Sequence, residues 1–254
     1  MNPRDAIAGQ SWWHAIEVAP GVVTPGGWDL RPTAERIPWP ASLAGMRCLD
    51  IGTMDGFWAF ELERRGAAEV VATDIPHSSA GDPFGGGERP LGGGVSRGET
   101  FGIAAELLAS RADYRHANVY DLDPDELGKF DLVFMGYVLQ MLRDPLRGLE
   151  AVRRVCRGSL IVLETISGPL SLLPGPVARL DARRDGREWF VFNRRGLRKA
   201  LELAGFEVEE ESRIIRDQAG PAVEERGLPP LVRALYALRL RGLSVAVRAT
   251  STSS

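Results

Sequence analysis

Apolar and polar positions fall into blocks, and the clearest block is Arg47, Cys48, Leu49, Asp50 and Ile51, a short apolar run that ends at Gly52. A run of this length bounded by glycine predicts a strand over 47–51. Gly56 follows four residues after Gly52, and the segment from Phe57 carries apolar residues at helical spacing until Gly66. A helix is predicted over 57–65, opened and closed by the two glycines. A second apolar run then ends in Asp74. Strand, glycine turn, helix and strand together make half of an α/β nucleotide-binding fold.

The rest of the pattern sorts around that unit. Residues 1–45 are dense in tryptophan, proline and glycine and read as an arm or cap. Within them 15–18 alternates, Thr24-Pro25-Gly26-Gly27 makes a turn, and a short, proline-interrupted helix is predicted over 35–43. After Asp74 the stretch 75–100 holds eight glycines. It lacks a pattern for regular structure, and its anchor at the strand end predicts a lid loop over 76–100. Further on, the pattern predicts a helix over 101–110 and strands over 113–118 and 130–133. A strand is also expected over 160–164, and a helix over 194–204 that Gly205 stops. A strand over 206–215, an apolar helix over 230–240 bearing Arg233 and Arg239, and a strand over 244–249 complete the chain, before a frayed tail. Residues 46–254 are thus expected to form one domain behind the arm, as the 254-residue length allows.

Composition changes this picture little. Formal net charge is −3, with no global basic field of the kind that announces nucleic acid. Only Lys129 and Lys199 among the 31 basic residues are lysine, an imbalance that spans the whole chain and discounts arginine count as a sign of RNA binding. Cys48 and Cys156 have spacing for neither zinc nor a disulfide framework, so no metal site and a reducing, cytoplasmic setting are expected. No apolar run reaches membrane-spanning length, and no signal peptide is recognisable at the start.

The acids give the turn its chemistry. A pyrophosphate there would want backbone N–H groups and no carboxylate nearby. This turn opens with Asp50 and contains Asp55, so a dianion is repelled. A ligand with an ammonium group and a ribose diol fits better, with an acid beside the turn for the amine and Asp74 for the ribose hydroxyls. The same turn also serves Rossmann-like domains with other ligands.

At Asp50, Gly52 and Gly56 the segment resembles the first motif of the class I S-adenosylmethionine-dependent methyltransferases, D-x-G-x-G-x-G, with Met54 at the middle glycine. The resemblance extends to Asn118-Val119 at the adenine positions, to Phe130-Asp131-Leu132-Val133 and to the turn ending Asp144-Pro145. It implies a doubly wound, seven-stranded Rossmann-like sheet in the order 3-2-1-4-5-7-6. It also implies S-adenosyl-L-methionine contacts at Asp50, Gly52, Thr53, Gly56, Asp74, Ile75, Asn118, Val119 and Gly136. Where many members place a histidine after strand four, this chain has Gln140-Met141. Asp131 is expected to hold the strand start and Asp144 to cap the helix from Pro145.

The arm, with LIVLET and EWFVFNRRGLRKALELAGF, looks like the branch related to the tRNA wobble-uridine carboxymethyltransferases and their single-domain relatives, over most of residues 11–206. The carboxymethyl enzymes need a cation for the extra carboxylate near the last strand, where this chain reads Arg241-Gly242-Leu243. Plain methyl transfer is therefore expected, and the net charge of −3, the glycine-rich lid and the tryptophan-rich arm place an oxygen or nitrogen of a small molecule ahead of tRNA as acceptor. Candidate acid–base groups are His14, Glu164 and Asn193. Each has a structural alternative: a hydrogen-bonded histidine, a carboxylate on the arm's backbone, and the N-cap of helix 194–204. A non-catalytic S-adenosylmethionine-binding protein is the rival reading, and a homodimer through the apolar face of 230–240 is one use of that helix.

Overall fold

The computed structural model describes residues 2–75, 98–180, 189–224 and 243–252. Seven strands form the main path of a sheet that three short strands extend: β1 Arg47–Ile51, β2 Glu69–Asp74, β3 Asp113–His116, β4 Phe130–Gly136, β5 Cys156–Ile166, β6 Phe206–Glu211 and β7 Leu243–Ser251. They lie in the order β3-β2-β1-β4-β5-β7-β6. The first five are mutually parallel, and β7 is inserted antiparallel between β5 and β6. This is the doubly wound order expected from the sequence. The central strands read as continuous apolar runs because both of their faces are covered. Leu49, Val71, Val133 and Leu160 are fully buried.

The helices that matter for the site are α1 Phe57–Arg64, α2 Glu99–Leu108, α3 Pro145–Val155 and α4 Arg194–Leu203. One core joins the sheet to α3 and α4 through Leu149, Val152, Leu197 and Leu201. The other joins it to α1 and α2 through Trp58, Phe60 and Phe101. The arm adds Ile7, Trp12, Ile16, Val18 and Leu30 to that second core, so it is packed into the domain. Asp144 caps α3 by accepting from the Arg147 amide at 3.0 Å, and Asp131 accepts both from Arg157 and from the Arg47 amide, the structural duties expected of them.

Three local expectations are corrected. No helix forms over 35–43; one helical turn, Arg31–Ala34, precedes an irregular stretch. Pro38 and Pro40 disfavour the helical region at Ile37 and Trp39. Trp39 pins the stretch instead, donating to the Ala34 carbonyl at 2.8 Å and stacking on Phe134 at 5.5 Å. The strand over 206–215 is broken: β6 ends at Glu211, Ser212 bonds Ala246 in both directions, and a short strand Ile215–Arg216 resumes on β7. The strand over 113–118 stops at His116, because the Asn118 side chain accepts from the Tyr120 amide and starts a 3-10 turn. Residues 76–97 of the expected lid and all of the predicted helix 230–240 lie outside the described residues.

Candidate active site

The turn between β1 and α1 follows from its backbone angles. Gly52 has φ 74°, Met54 φ 50° and Gly56 φ 95°. Met54, at the position where a glycine was expected, thus adopts the left-handed conformation that glycine would supply. Its amide donates to Asp74 Oδ2 at 2.9 Å, while the Ile75 amide donates to Oδ1 at 2.8 Å. Asp74 therefore holds the turn across two strand ends. A left-handed methionine costs roughly 1 kcal/mol, and glycine would return about as much in unfolded-chain freedom. Met54→Gly is accordingly expected to leave the melting temperature within about 2 °C, as scanning calorimetry would read it. A fall beyond about 5 °C would mean that the methionine side chain contributes packing of its own.

Asp50 stands beside the turn and is 1% exposed. Neither of its oxygens makes a hydrogen bond of good geometry, although the Thr53 hydroxyl and the Ala59 amide stand near enough to ease its charge. Burial lifts the Asp50 carboxyl from 3.8 to about 7; the Thr53 hydroxyl and Ala59 amide nearby offset part of this, and Asp74 adds to it. A buried carboxyl so weakly supported is costly unless something occupies it. An ammonium group is the complementary ligand, and the residues present therefore fit the amine end of an amino-acid-bearing cofactor.

Asp55 has a different use. Its Oδ2 accepts from the amides of Trp13 at 2.5 Å and His14 at 2.8 Å, and its Oδ1 accepts from the Thr100 hydroxyl at 2.7 Å. The acid inside the turn thereby clasps the arm and the start of α2. The arm continues as a small sheet: His14 bridges Trp28, and Trp28–Asp29 pairs with Gln218–Ala219. Gly26 permits this closeness, since a Cβ there would lie 2.0 Å from the His14 carbonyl carbon. The sheet of arm and 218–219 roofs the carboxyl edge of the main sheet.

The other sequence candidates sort as follows. The His14 ring is 6% exposed, its Nδ1 lies 3.9 Å from Asp55 Oδ2, and burial lowers its pKa against the opposing pull of Asp55 and Asp74. It is neutral at neutral pH and stands near the turn. Glu164 is fully buried on β5 and accepts from the Leu139 amide at 2.7 Å. It thus holds the loop after β4. Asn193 caps α4, accepting from the Gly196 and Val177 amides and donating to the Leu170 and Gly175 carbonyls. Those four bonds use its hydrogen-bonding capacity, so it acts as a cap and loop tie. Val119 is buried, and Asn118 lines a cavity of about 350 Å³ with Arg115, His116 and Asp121. Gly136 ends β4 against Trp58, whose indole nitrogen would lie 2.9 Å from a Cβ there.

Sequence reasoning missed one constellation. Tyr137, just past β4, has φ 59°, and its hydroxyl donates to Asp217 Oδ1 at 2.5 Å. The Ser244 hydroxyl of β7 donates to Asp217 Oδ2 at 2.6 Å. Asp217 and Ser244 lie 80 and 107 positions from Tyr137, and only the sheet order brings them together. No sequence signal short of the full topology marks them.

Among the described residues no group of three or more His, Cys, Asp or Glu is placed to hold a metal, and no helix is long and apolar enough to cross a membrane. A methyltransferase domain model matches residues 30–211. Among solved structures the chain is similar to the [4+2]-cyclase SpnF at 18% identity, covering 99% of this chain and 93% of that one with a TM-score of 0.58. It is similar to the 1,6-didemethyltoxoflavin-N1-methyltransferase of Burkholderia thailandensis, solved with 1,6-didemethyltoxoflavin and S-adenosylhomocysteine, at 14% identity over 88% and 78% of the chains, TM-score 0.55. An S-adenosylmethionine-dependent methyltransferase from Mesorhizobium loti matches at 16% identity over 87% and 97%, TM-score 0.52. No curated protein matches the sequence. At these identities the structural likenesses speak for the fold.

Proposed function

Since the chain belongs to the methyltransferase-domain family, we propose that it moves a methyl group from S-adenosylmethionine to an oxygen or nitrogen of a small molecule. The observation that carries the cofactor assignment is Asp50, a buried carboxyl whose burial Thr53 and Ala59 offset only in part, standing beside a glycine turn that Asp74 secures. S-adenosylmethionine supplies an already activated methyl group. The protein's share is to hold the acceptor in line with it, to exclude water and to take a proton where the acceptor carries one. The roof formed by the arm and residues 218–219 suits that enclosure. His14 is the sequence candidate that remains beside the turn with an unoccupied ring nitrogen among the described residues.

Two other readings have something specific behind them. The solved structure of a [4+2]-cyclase shares this fold, so fold alone does not fix methyl transfer, and the match to a methyltransferase domain is what supports that reading. The likeness of the arm and strand motifs to the tRNA wobble-uridine enzymes supports an RNA acceptor, but most of the acid-free basic stretch 231–254 lies outside the described residues. One experiment separates the readings. Calorimetry with S-adenosylmethionine is expected to show heat of binding, and labelled cofactor is expected to transfer into the small-molecule pool of a fractionated extract. Salt-sensitive micromolar filter binding to total tRNA, with label entering RNA, would sink the small-molecule reading. Absence of heat with S-adenosylmethionine, against heat with NAD or ATP, would sink the cofactor assignment.

A further inference from the structure

The geometry points to Tyr137 and Asp217 as a proton relay that serves a weakly acidic hydroxyl acceptor, an assignment that rests on the methyl-transfer reading and narrows it to oxygen. Several independent observations converge on this. Tyr137 follows the last residue of β4, and its amide donates to the Leu163 carbonyl at 2.7 Å. The next residue, Val138, lies against the glycine turn, its Cγ2 2.6 Å from where a Cβ on Gly52 would stand. The relay therefore sits at the carboxyl edge of the sheet beside the cofactor turn, where doubly wound folds place their chemistry. Asp217 immediately precedes the strand Gln218–Ala219 that pairs with Trp28–Asp29, so the same pair also reaches the roof.

The tyrosine is held at some cost. A left-handed backbone at a bulky residue persists only where the surroundings fix it, and such residues gather at functional sites. Of the three non-glycine residues with positive φ among the described residues, Met54 and Tyr137 are at this site, and Ala109 ends α2.

The direction of the hydrogen bonds sets the chemistry. Asp217 is 4% exposed and accepts from Tyr137 on one oxygen and from Ser244 on the other. An acid that receives two hydroxyl protons is the ionised partner, and with the Ser244 hydroxyl also beside it the Tyr137 oxygen keeps one lone pair for a further donor. The titratable groups around Tyr137 are Asp217 and Glu164; burial first, then Asp217, push the phenol well above its ordinary value. Burial also raises the Asp217 carboxyl, against relief from Ser244 and Tyr137, which makes it a better proton acceptor than a solvated aspartate.

A hydroxyl acceptor gains most from this device. A neutral amine already presents a lone pair, and a carboxylate or thiolate is already ionised, so neither needs a proton removed during attack. For a hydroxyl, the O–H proton passes to the Tyr137 oxygen as the tyrosine's own proton passes to Asp217 Oδ1. The acceptor oxygen forms its bond to the methyl carbon, and the carbon–sulfur bond breaks with its electron pair left on sulfur. The sulfonium charge and the carboxylate charge are both cancelled. Asp217 later returns its proton to water. Tyr137 is the catalytic residue here, and Asp217 and Ser244 position it.

Two phenols and one spectrum test the relay. The enzyme with S-adenosylmethionine is assayed at about pH 8 on 4-methylphenol, protonated there like tyrosine, and on 4-nitrophenol, largely ionised. Tyr137→Phe is expected to lower the rate on 4-methylphenol about 100-fold and on 4-nitrophenol by less than about threefold, with Asp217→Asn following the same pattern. Equal losses on both phenols would reduce the pair to a structural clasp. No turnover of either phenol, while calorimetry shows the cofactor bound, would overturn the hydroxyl assignment and leave the cofactor reading intact; no heat would remove that reading as well. Independently of activity, the difference in tyrosinate absorbance between the parent protein and Tyr137→Phe is expected to appear only above the range of an ordinary tyrosine. Asp217→Asn is expected to bring that signal down. A Tyr137 that ionises with the ordinary tyrosines in the parent protein would also overturn the relay.

Discussion

Asp50→Asn is expected to make the ligand-free protein more stable at about pH 8 and to leave it a poor binder of S-adenosylmethionine. The two effects share one cause. A carboxyl that titrates at about 7 in the fold and near 3.8 when exposed is disfavoured as an ion by roughly 4 kcal/mol. The sign follows from proton binding: between those values the folded state holds the proton and the unfolded state has released it. Stability therefore declines as pH rises from about 4 to about 7, and the whole penalty is present above that. Asparagine carries no such charge, so its gain should be several degrees at about pH 8 and should vanish by about pH 3, where aspartate is largely protonated in both states. Scanning calorimetry at the two pH values reads it. Binding moves the other way, because a charge-assisted bond to the cofactor's ammonium is worth roughly 1.5–3 kcal/mol, or about 10- to 150-fold in affinity. For the parent protein the affinity is expected to strengthen as pH is raised from about 6 to 8, since the carboxylate must be ionised to pair with an ammonium. A variant that melts lower at both pH values would mean that Asp50 has a partner in the protein, and the cofactor argument built on it would fall.

The residues that form this site were unequally legible in the sequence. The turn from Asp50 to Gly56 and the acid Asp74 are local, and strand and helix periodicity place both at strand ends. The order of the seven strands came with the resemblance and not from periodicity, which carries no information on which strands become neighbours. Met54 illustrates the reverse case: the sequence departs from the glycine pattern, yet the backbone at Met54 takes the glycine conformation, since φ is imposed by the bonds to Asp74 and the turn around it. Asn193 was legible as the cap of α4 that it is, whereas the Leu139 amide held by Glu164 and the loop groups held by Asn193 were not. Tyr137, Asp217 and Ser244 were invisible for the plainest reason. Their contact depends on β7 returning beside β5, with Ser244 opposite Thr165, and nothing local to any of the three encodes that register.

Asp55 is the case where the sequence reading caught the residue and missed its consequence. As an acid within the turn it was read as a barrier to phosphate, and its position inside the loop suggested little else. In the fold its two oxygens take three donors from 41, 42 and 45 positions away, the Trp13 and His14 amides and the Thr100 hydroxyl. Asp55→Ala leaves these buried donors without an acceptor, at about 1–3 kcal/mol each, so a total loss on the order of 5 kcal/mol is expected. The loss should also be directional. The arm's apolar residues Trp12, Ile16 and Val18 contribute to the core over α1 and α2, but the arm's tie to the turn runs through this carboxylate. Releasing the tie frees the arm before the sheet melts. Cleavage by a protease within residues 1–30 is therefore expected to speed up in Asp55→Ala well below its melting temperature, and bound S-adenosylmethionine is expected to protect the parent protein more than the variant. Asp55→Asn should fall between the two, since one amide oxygen can still accept while the new NH2 group faces former donors. An arm equally resistant in the parent protein and in Asp55→Ala would mean that core packing alone holds the roof, and that the clasp contributes nothing to closing the site.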